Sequence, residues 1–183
     1  GIGKKTALRL ALHLIQDQNN KASVIGQSLI NLKNEIRLCK SCHSISDNEL
    51  CEICSSSARN KLVICVVESV RDMMAIEDTS SFNGVYHILG GLISPIDGIG
   101  PADIEIESLI NRVNLESIEE LIMAISPTIE GETTSFYISK KIPTHVKISI
   151  IARGVSFGGE LEYADELTLG RSISGRIPYK LGA

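Results

Sequence analysis

Hydrophobic positions change rhythm along this chain, and each change predicts a different kind of element. From Thr6 to Gln18 the residues Ala7, Leu8, Leu10, Ala11, Leu12, Leu14 and Ile15 spread over one broad face, the spacing of an amphipathic helix. Ser23 is a suitable N-cap for a second helix reaching about Leu38, with Val24, Leu29, Ile30, Leu32 and Ile36 as its buried stripe. A cysteine-rich segment follows from Cys39 to Cys54, closed by the polar run Ser55-Ser56-Ser57. From Leu62 the style differs: Leu62-Val63-Ile64-Cys65-Val66-Val67 is a continuous apolar run, as a strand covered on both faces requires. Further strands are predicted at Val85–Leu89, Glu120–Ile125 and Val146–Ala152, and helices at Arg71–Asp78, Pro101–Val113 and Glu132–Lys141. Strands alternating with helices imply βαβ crossovers and a mostly parallel sheet. The expected class is therefore α/β: a small helical N-terminal part over 1–38, a four-cysteine knuckle over 39–60, and a mostly parallel sheet flanked by helices over 61–183.

Composition sharpens this picture in two ways. Apolar residues make up 43% of the chain but aromatics only 4%, with no Trp, so the core must be aliphatic. No apolar run approaches the length of about 18 residues that a membrane span needs, and no charged n-region with an apolar h-region opens the chain. A cytoplasmic, reducing setting is expected, in which paired cysteines act as metal ligands. The chain opens at Gly1 inside what reads as a motif, so a preceding segment is expected.

The sharpest chemical signal is Cys39-Lys40-Ser41-Cys42 followed by Cys51-Glu52-Ile53-Cys54. Each C-x₂-C pair can place two thiolates on one side of a tight turn, and four thiolates close a tetrahedron around Zn²⁺. A closed site is structural. Cys42-His43 also completes the C-x-x-C-H string of haem attachment, but haem leaves the second pair unexplained. A thioredoxin-like redox pair needs one C-x-x-C, and two disulfides conflict with the expected compartment. Cys65, inside an apolar strand, reads as a small buried hydrophobe.

Charge is unevenly distributed. The formal net charge is −4, yet residues 1–61 carry nine basic and five acidic side chains, a net +4, leaving −8 on the remainder. Such asymmetry points to a polyanion-facing end and a body facing water or a basic partner, although scatter over a short chain produces splits of this kind too. At the basic end, Gly1-Ile2-Gly3-Lys4-Lys5-Thr6-Ala7 precedes a helix; exposed backbone N–H groups at its start suit a phosphate oxygen. Lys5 and Arg9 lie four apart on one helical face, with Lys4 beside them. The competing reading is an ordinary capped helix with solvated charges.

At the acidic end, Glu68 closes the first strand of the sheet, and Glu130-Gly131-Glu132 follows another strand and starts a helix. Carboxylates at the C-terminal ends of neighbouring parallel strands share one crevice, and three of them make an all-oxygen site suited to Mg²⁺. A solvated acidic rim without metal is the alternative. Tyr86 and Tyr137 read as half-buried sheet or helix residues, and His87 as satisfying a hydrogen bond near the sheet.

These motifs carry a resemblance. The stretch Gly1-Ile2-Gly3-Lys4-Lys5-Thr6-Ala7-Leu8-Arg9-Leu10 resembles the second half of the helix-hairpin-helix that opens RecR proteins, with Lys4 where that family usually has Pro. The acidic pattern resembles the Toprim domain of primases, topoisomerases and some nucleases, with Glu68 as its first acid and Glu130-x-Glu132 in place of the usual Asp-x-Asp, as in RecR proteins. Further strings similar to RecR are Val67–Asp72, Tyr86–Gly91, Ser94–Pro101, Pro127–Glu132, Ala152-Arg153-Gly154 and Gly158–Asp165. The resemblance runs over nearly the whole chain, zinc knuckle included. It implies a Toprim-like sheet and a partial helix-hairpin-helix whose first helix would lie upstream. It also implies a non-enzymatic recombination mediator forming a ring-like tetramer, or a dimer, on single- or double-stranded DNA. Such a mediator works with RecO, and in some bacteria RecF, to load recombinase on single strands. Under it, Lys5 and Arg9, with Lys4, contact phosphate.

Two rivals come from other classes. One is a Mg²⁺-dependent Toprim nuclease or primase-like enzyme. The other is a nucleotide-binding α/β protein, prompted by Gly90-Gly91 and Gly158-Gly159, neither of which belongs to a G-x-G-x-x-G or G-x-x-x-x-G-K-[ST] motif.

Overall fold

A computed structural model describes residues 1–152, 154, 155, 158 and 160–178. Arg153 and Gly159, which belong to two of the strings above, lie outside the described residues, as does the end of the chain beyond 178.

Two helices open the chain, α1 (Lys4–Gln16) and α2 (Lys21–Glu35). Both are shorter at the C-terminus than the apolar spacing predicts, for local reasons. Asp17 accepts hydrogen bonds from the backbone N–H groups of Asn19 and Lys21 and pairs with the Lys21 ammonium at 2.9 Å. Asp17 thereby stops α1 and satisfies orphan donors at the start of α2, so Ser23 lies inside the helix rather than capping it. At the other end, Arg37–Leu38 forms a short strand β1 paired antiparallel with β2 (Ile45–Ser46), and this pairing ends α2 at Glu35. A one-turn helix α3 (Glu52–Ser55) completes the cysteine segment.

The body is a four-stranded parallel sheet in the order β4-β3-β5-β6: β3 Asn60–Val67, β4 Gly84–Ile88, β5 Glu120–Ala124 and β6 Lys147–Ile150. Helices α4 (Val70–Asp78), α5 (Ile106–Leu115) and α6 (Ile129–Lys141) connect the strands. The run predicted for the central strand alternates faces. Ile64 and Val66 join Val85, Leu121 and Met123 against Ile106, Leu109 and Val113 of α5 and Ile138 of α6. Cys65 and Val67 join Tyr86 and Ile88 against Met73 of α4. Both faces are covered, which is why the run carries no polar alternation.

The helices divide between faces because the strand order reverses. From β3 the chain steps to β4 on one side, then back across β3 to β5 and on to β6. Crossovers of one hand place α4 on one face and α5 and α6 on the other. The reversal creates a switch point between the C-terminal ends of β3 and β5. Beyond the sheet lie a 3₁₀ turn (Leu161–Tyr163) and helix α7 (Glu166–Ser174).

Three helix starts differ from the pattern. Ser69 forms a capping box with Asp72 and begins α4 at Val70. Thr128 accepts from Gly131 N–H and begins α6 at Ile129, three residues early. The helix predicted from Pro101 begins only at Ile106, because Asp103 accepts from Gly100 N–H and holds a turn there, and Glu105 N–H is taken by the Leu89 carbonyl.

Candidate metal centre and nucleic-acid interface

The knuckle is built by backbone geometry around sulfur. The β1–β2 hairpin carries Cys39 and Cys42 on its turn, and His43, with φ of 62°, reverses the chain so that Cys39 N–H reaches the Ser44 carbonyl at 2.7 Å. Cys51 caps α3, its sulfur accepting from Cys54 N–H, while Cys51 N–H donates to the Cys39 sulfur at 3.3 Å. All four sulfur atoms are buried and lie within 4.8 Å of one another. Among the described residues this is the one group of three or more Cys, His, Asp or Glu side chains so placed.

Four buried thiols without a counter-charge cannot all ionise. The hydrogen bond between Cys42 and Cys54 holds Cys54 below the ordinary thiol range, and the same contact together with burial pushes Cys42 up. A divalent cation resolves that conflict, and an all-sulfur set of this size fits structural Zn²⁺, with every position filled by protein. Zinc binding in such knuckles is worth ~10–16 kcal/mol, on the scale of a whole domain's stability.

The knuckle is bolted to the sheet. Cys42 O accepts from Ile88 N–H of β4 at 2.9 Å. Arg112, buried on α5, donates from Nη1 to the carbonyls of Tyr86 (2.8 Å) and Ser41 (3.3 Å). The His43 ring meets Ser108 Oγ at 2.7 Å and stacks edge-on with His87, centroids 5.2 Å apart. His87 meets the Glu105 carbonyl at 2.8 Å, the sheet-side hydrogen bond expected of it, and burial holds its pKa down to about 3. Arg112 and Ser108 were missed by sequence reasoning; the only trace either leaves there is a charge on an apolar helix face.

Lys4, Lys5 and Arg9 lie on α1, all exposed, and none forms an ion pair among the described residues. Lys5 and Arg9 share an open groove with Leu8, Leu12, His13 and Gln16. Gly3 caps the helix in an extended conformation open to any residue, with free space around its Cα.

Glu68 follows β3, and Glu130 and Glu132 open α6 after β5, so all three lie past the C-terminal ends of two neighbouring strands. They are not gathered into an ion-sized group. Glu132 lies 4.0 Å from Arg171 of α7. Cys65 is buried, its thiol pushed up to about 12 by burial, and Tyr86 is fully buried with its hydroxyl donating to Glu77 at 2.6 Å. Tyr137 is half-buried on α6 beside Lys141.

Three sequence profiles match consecutive parts of the chain. They are described as the RecR four-cysteine zinc finger domain (residues 36–56), the Toprim domain (63–152) and the RecR C-terminal region (154–177). A protein of Phocaeicola vulgatus named Recombination protein RecR is 55% identical over 177 residues, 96% of this chain and 86% of that one. Proteins of the same name from Cytophaga hutchinsonii and Flavobacterium johnsoniae are 54% and 52% identical, covering 98% of this chain and 89% and 88% of theirs. The chain belongs to the RecR family. The cysteine knuckle of this RecR chain is thus a zinc finger by its geometry and by its profile, and its sheet is of the Toprim type. Among the described residues no helix is long and apolar enough to cross a membrane.

Proposed function

We propose that this protein is a DNA-binding recombination mediator in recombinational repair that catalyses no reaction itself. One observation carries the reading. A chain more than half identical to proteins named Recombination protein RecR presents Lys5 and Arg9 on one exposed face of α1, unpaired among the described residues, with Lys4 alongside. Cations so placed attract phosphates without reading bases.

In this reading the chain works in three parts: a helical DNA-contacting part over 1–38, a zinc mount over 39–60, and a Toprim part with its extension over 61–183. One face of two or three cations is a weak DNA site, and several held in a ring-like tetramer, or in a dimer, gain avidity. Leu8, Leu12, Ile15, Leu29 and Ile30, large apolar side chains left exposed on α1 and α2, support assembly of copies. The acidic rim of Glu68, Glu130 and Glu132 faces a basic protein partner rather than Mg²⁺, since the carboxylates stand apart. RecO, and in some bacteria RecF, is that partner, and recombinase loading on single-stranded DNA in the cytoplasm is the outcome.

The test is a salt titration of single- and double-stranded DNA binding. Lys5→Ala with Arg9→Ala is expected to weaken all sequences alike and to lower the salt slope by roughly one unit per lost phosphate contact. Unchanged affinity and slope would remove α1 from the interface. The nuclease alternative has its own check: strand cleavage in Mg²⁺ that disappears in Glu68→Ala would make the protein an enzyme.

A further inference from the structure

A parallel sheet has two open edges, and here they are treated differently. β6 is four residues long and bears Lys147, paired with Glu120 at 3.1 Å. Short, charged strands resist further pairing. β4 is one residue longer and lacks the charge. Gly84-Val85-Tyr86-His87-Ile88 bears no residue charged at neutral pH, yet every one of its residues is buried.

What covers it is specific. The residues flanking Tyr86 in β4 turn their backbone toward β3; the groups of Gly84, Tyr86 and Ile88 point outward, and protein groups meet them there. Gly84 O accepts from Arg59 Nη1 at 3.5 Å, Tyr86 O from Arg112 Nη1 at 2.8 Å, and Ile88 N–H donates to Cys42 O at 2.9 Å. Two of these three contacts depend on the knuckle. Cys42 is itself one of the four clustered thiols, and Arg112 also holds the carbonyl of Ser41, the residue before it. The Cys42 carbonyl thus belongs to a residue whose own sulfur is part of the buried cluster.

We propose that the zinc knuckle is a metal-dependent cap on the β4 edge, with Arg112 as its bolt, and that loss of the metal turns this edge into a strand-accepting surface for a second copy of the chain. The outward groups of Gly84, Tyr86 and Ile88 are the same in every copy, so two bared edges can pair antiparallel about a twofold axis. An apolar, uncharged strand with free N–H and C=O groups is the template such pairing needs. The cap is thus more than a local fold stabiliser: it removes a competing mode of assembly.

Residue-resolved amide exchange on the full chain, under reducing conditions, with zinc loaded and with zinc removed by a chelator, tests this. The Ile88 amide, whose one acceptor is Cys42 O, is expected to exchange at least about tenfold faster without metal, the effect of losing one net hydrogen bond. The amides of β5, paired on both sides, keep their protection, and light scattering shows a larger particle for the stripped chain than for the loaded one. Arg112→Gln, with zinc still bound stoichiometrically, is expected to speed Ile88 exchange by a smaller factor. An Ile88 rate indifferent to the metal would overturn the cap. So would β4 and β5 losing protection together, because the metal would then hold the whole fold. A stripped chain whose particle size does not change would overturn strand addition.

Discussion

Arg59 holds together parts of the chain that lie far apart in sequence. Its guanidinium meets both carboxylate oxygens of Glu77 on α4 and the carbonyls of Phe82 and Gly84, while the Tyr86 hydroxyl donates to the same carboxylate at 2.6 Å. The Arg59 guanidinium beside it keeps Glu77 below the ordinary carboxylate value of 4.5. A carboxylate depressed in the folded state stabilises it above the unfolded pKa, and that contribution fades as pH falls through the folded value. Glu77→Gln is expected to cost about 1.5–3 kcal/mol at pH 7, typical of hydrogen bonds to charged groups. It should cost much less in acid well below pH 4.5, where the wild-type carboxyl is itself protonated. Denaturant titrations at the two pH values decide this, and an equal loss at both would show that the charge contributes nothing. Neither residue was singled out in the sequence, where they stand 18 apart and Arg59 counts only as one cation of a basic half.

Element boundaries were set by contacts that a pattern of apolar positions does not contain. Helix α6 is the clearest case. Glu130-Gly131-Glu132 draws the eye for its two acids, but the glycine between them is what the fold uses. A Cβ at Gly131 would overlap the Ser126 carbonyl and crowd Ile125, so the β5–α6 turn closes only over a bare Cα. Gly131→Ala is expected to lower Tm by about 2–10 °C, the result of an overpacking cost near 1–3 kcal/mol in a chain of this size. Calorimetry of zinc-loaded protein measures it, and an unchanged Tm would mean the turn relaxes freely. Strand positions were legible to within a residue or two because the buried strands carry mostly apolar runs, unbroken over 62–67 in the central β3. Helix starts were less so, because Asp17, Ser69 and Thr128 act through side-chain hydrogen bonds to backbone N–H groups.

For the molecule as a whole, burial is concentrated in one body. The sheet with α4, α5 and α6 carries two apolar clusters, and the knuckle joins them through Ile53, which touches both and packs against the four cysteines. Helices α1 and α2 bury no residue. Local stability follows buried contact, so the amides of α1 and α2 are expected to exchange orders of magnitude faster than those of β3 and β5 in the DNA-free protein at low concentration. Protection of α1 and α2 that rises with protein concentration or on adding DNA would match assembly or binding through them. Protection equal to that of β3 at every concentration would show that these helices are held by something other than a partner.

The local chemistry of this chain was written in its sequence: four thiols at zinc-binding spacing, a two-faced apolar strand, a basic opening helix and acids after two strands. These depend on neighbours within a few residues, or on a periodicity that the chain repeats to itself. Tertiary structure alone decided which strand lies at the edge, that the knuckle covers it, and that Arg112 ties Ser41 to Tyr86 across 71 and 26 residues of chain. It also decided that β3 and β5 lie side by side, so that Glu68 and the α6 acids follow neighbouring strands. Such outcomes turn on backbone groups, which every residue carries alike, and on distances set by packing, so no residue type announces them in advance.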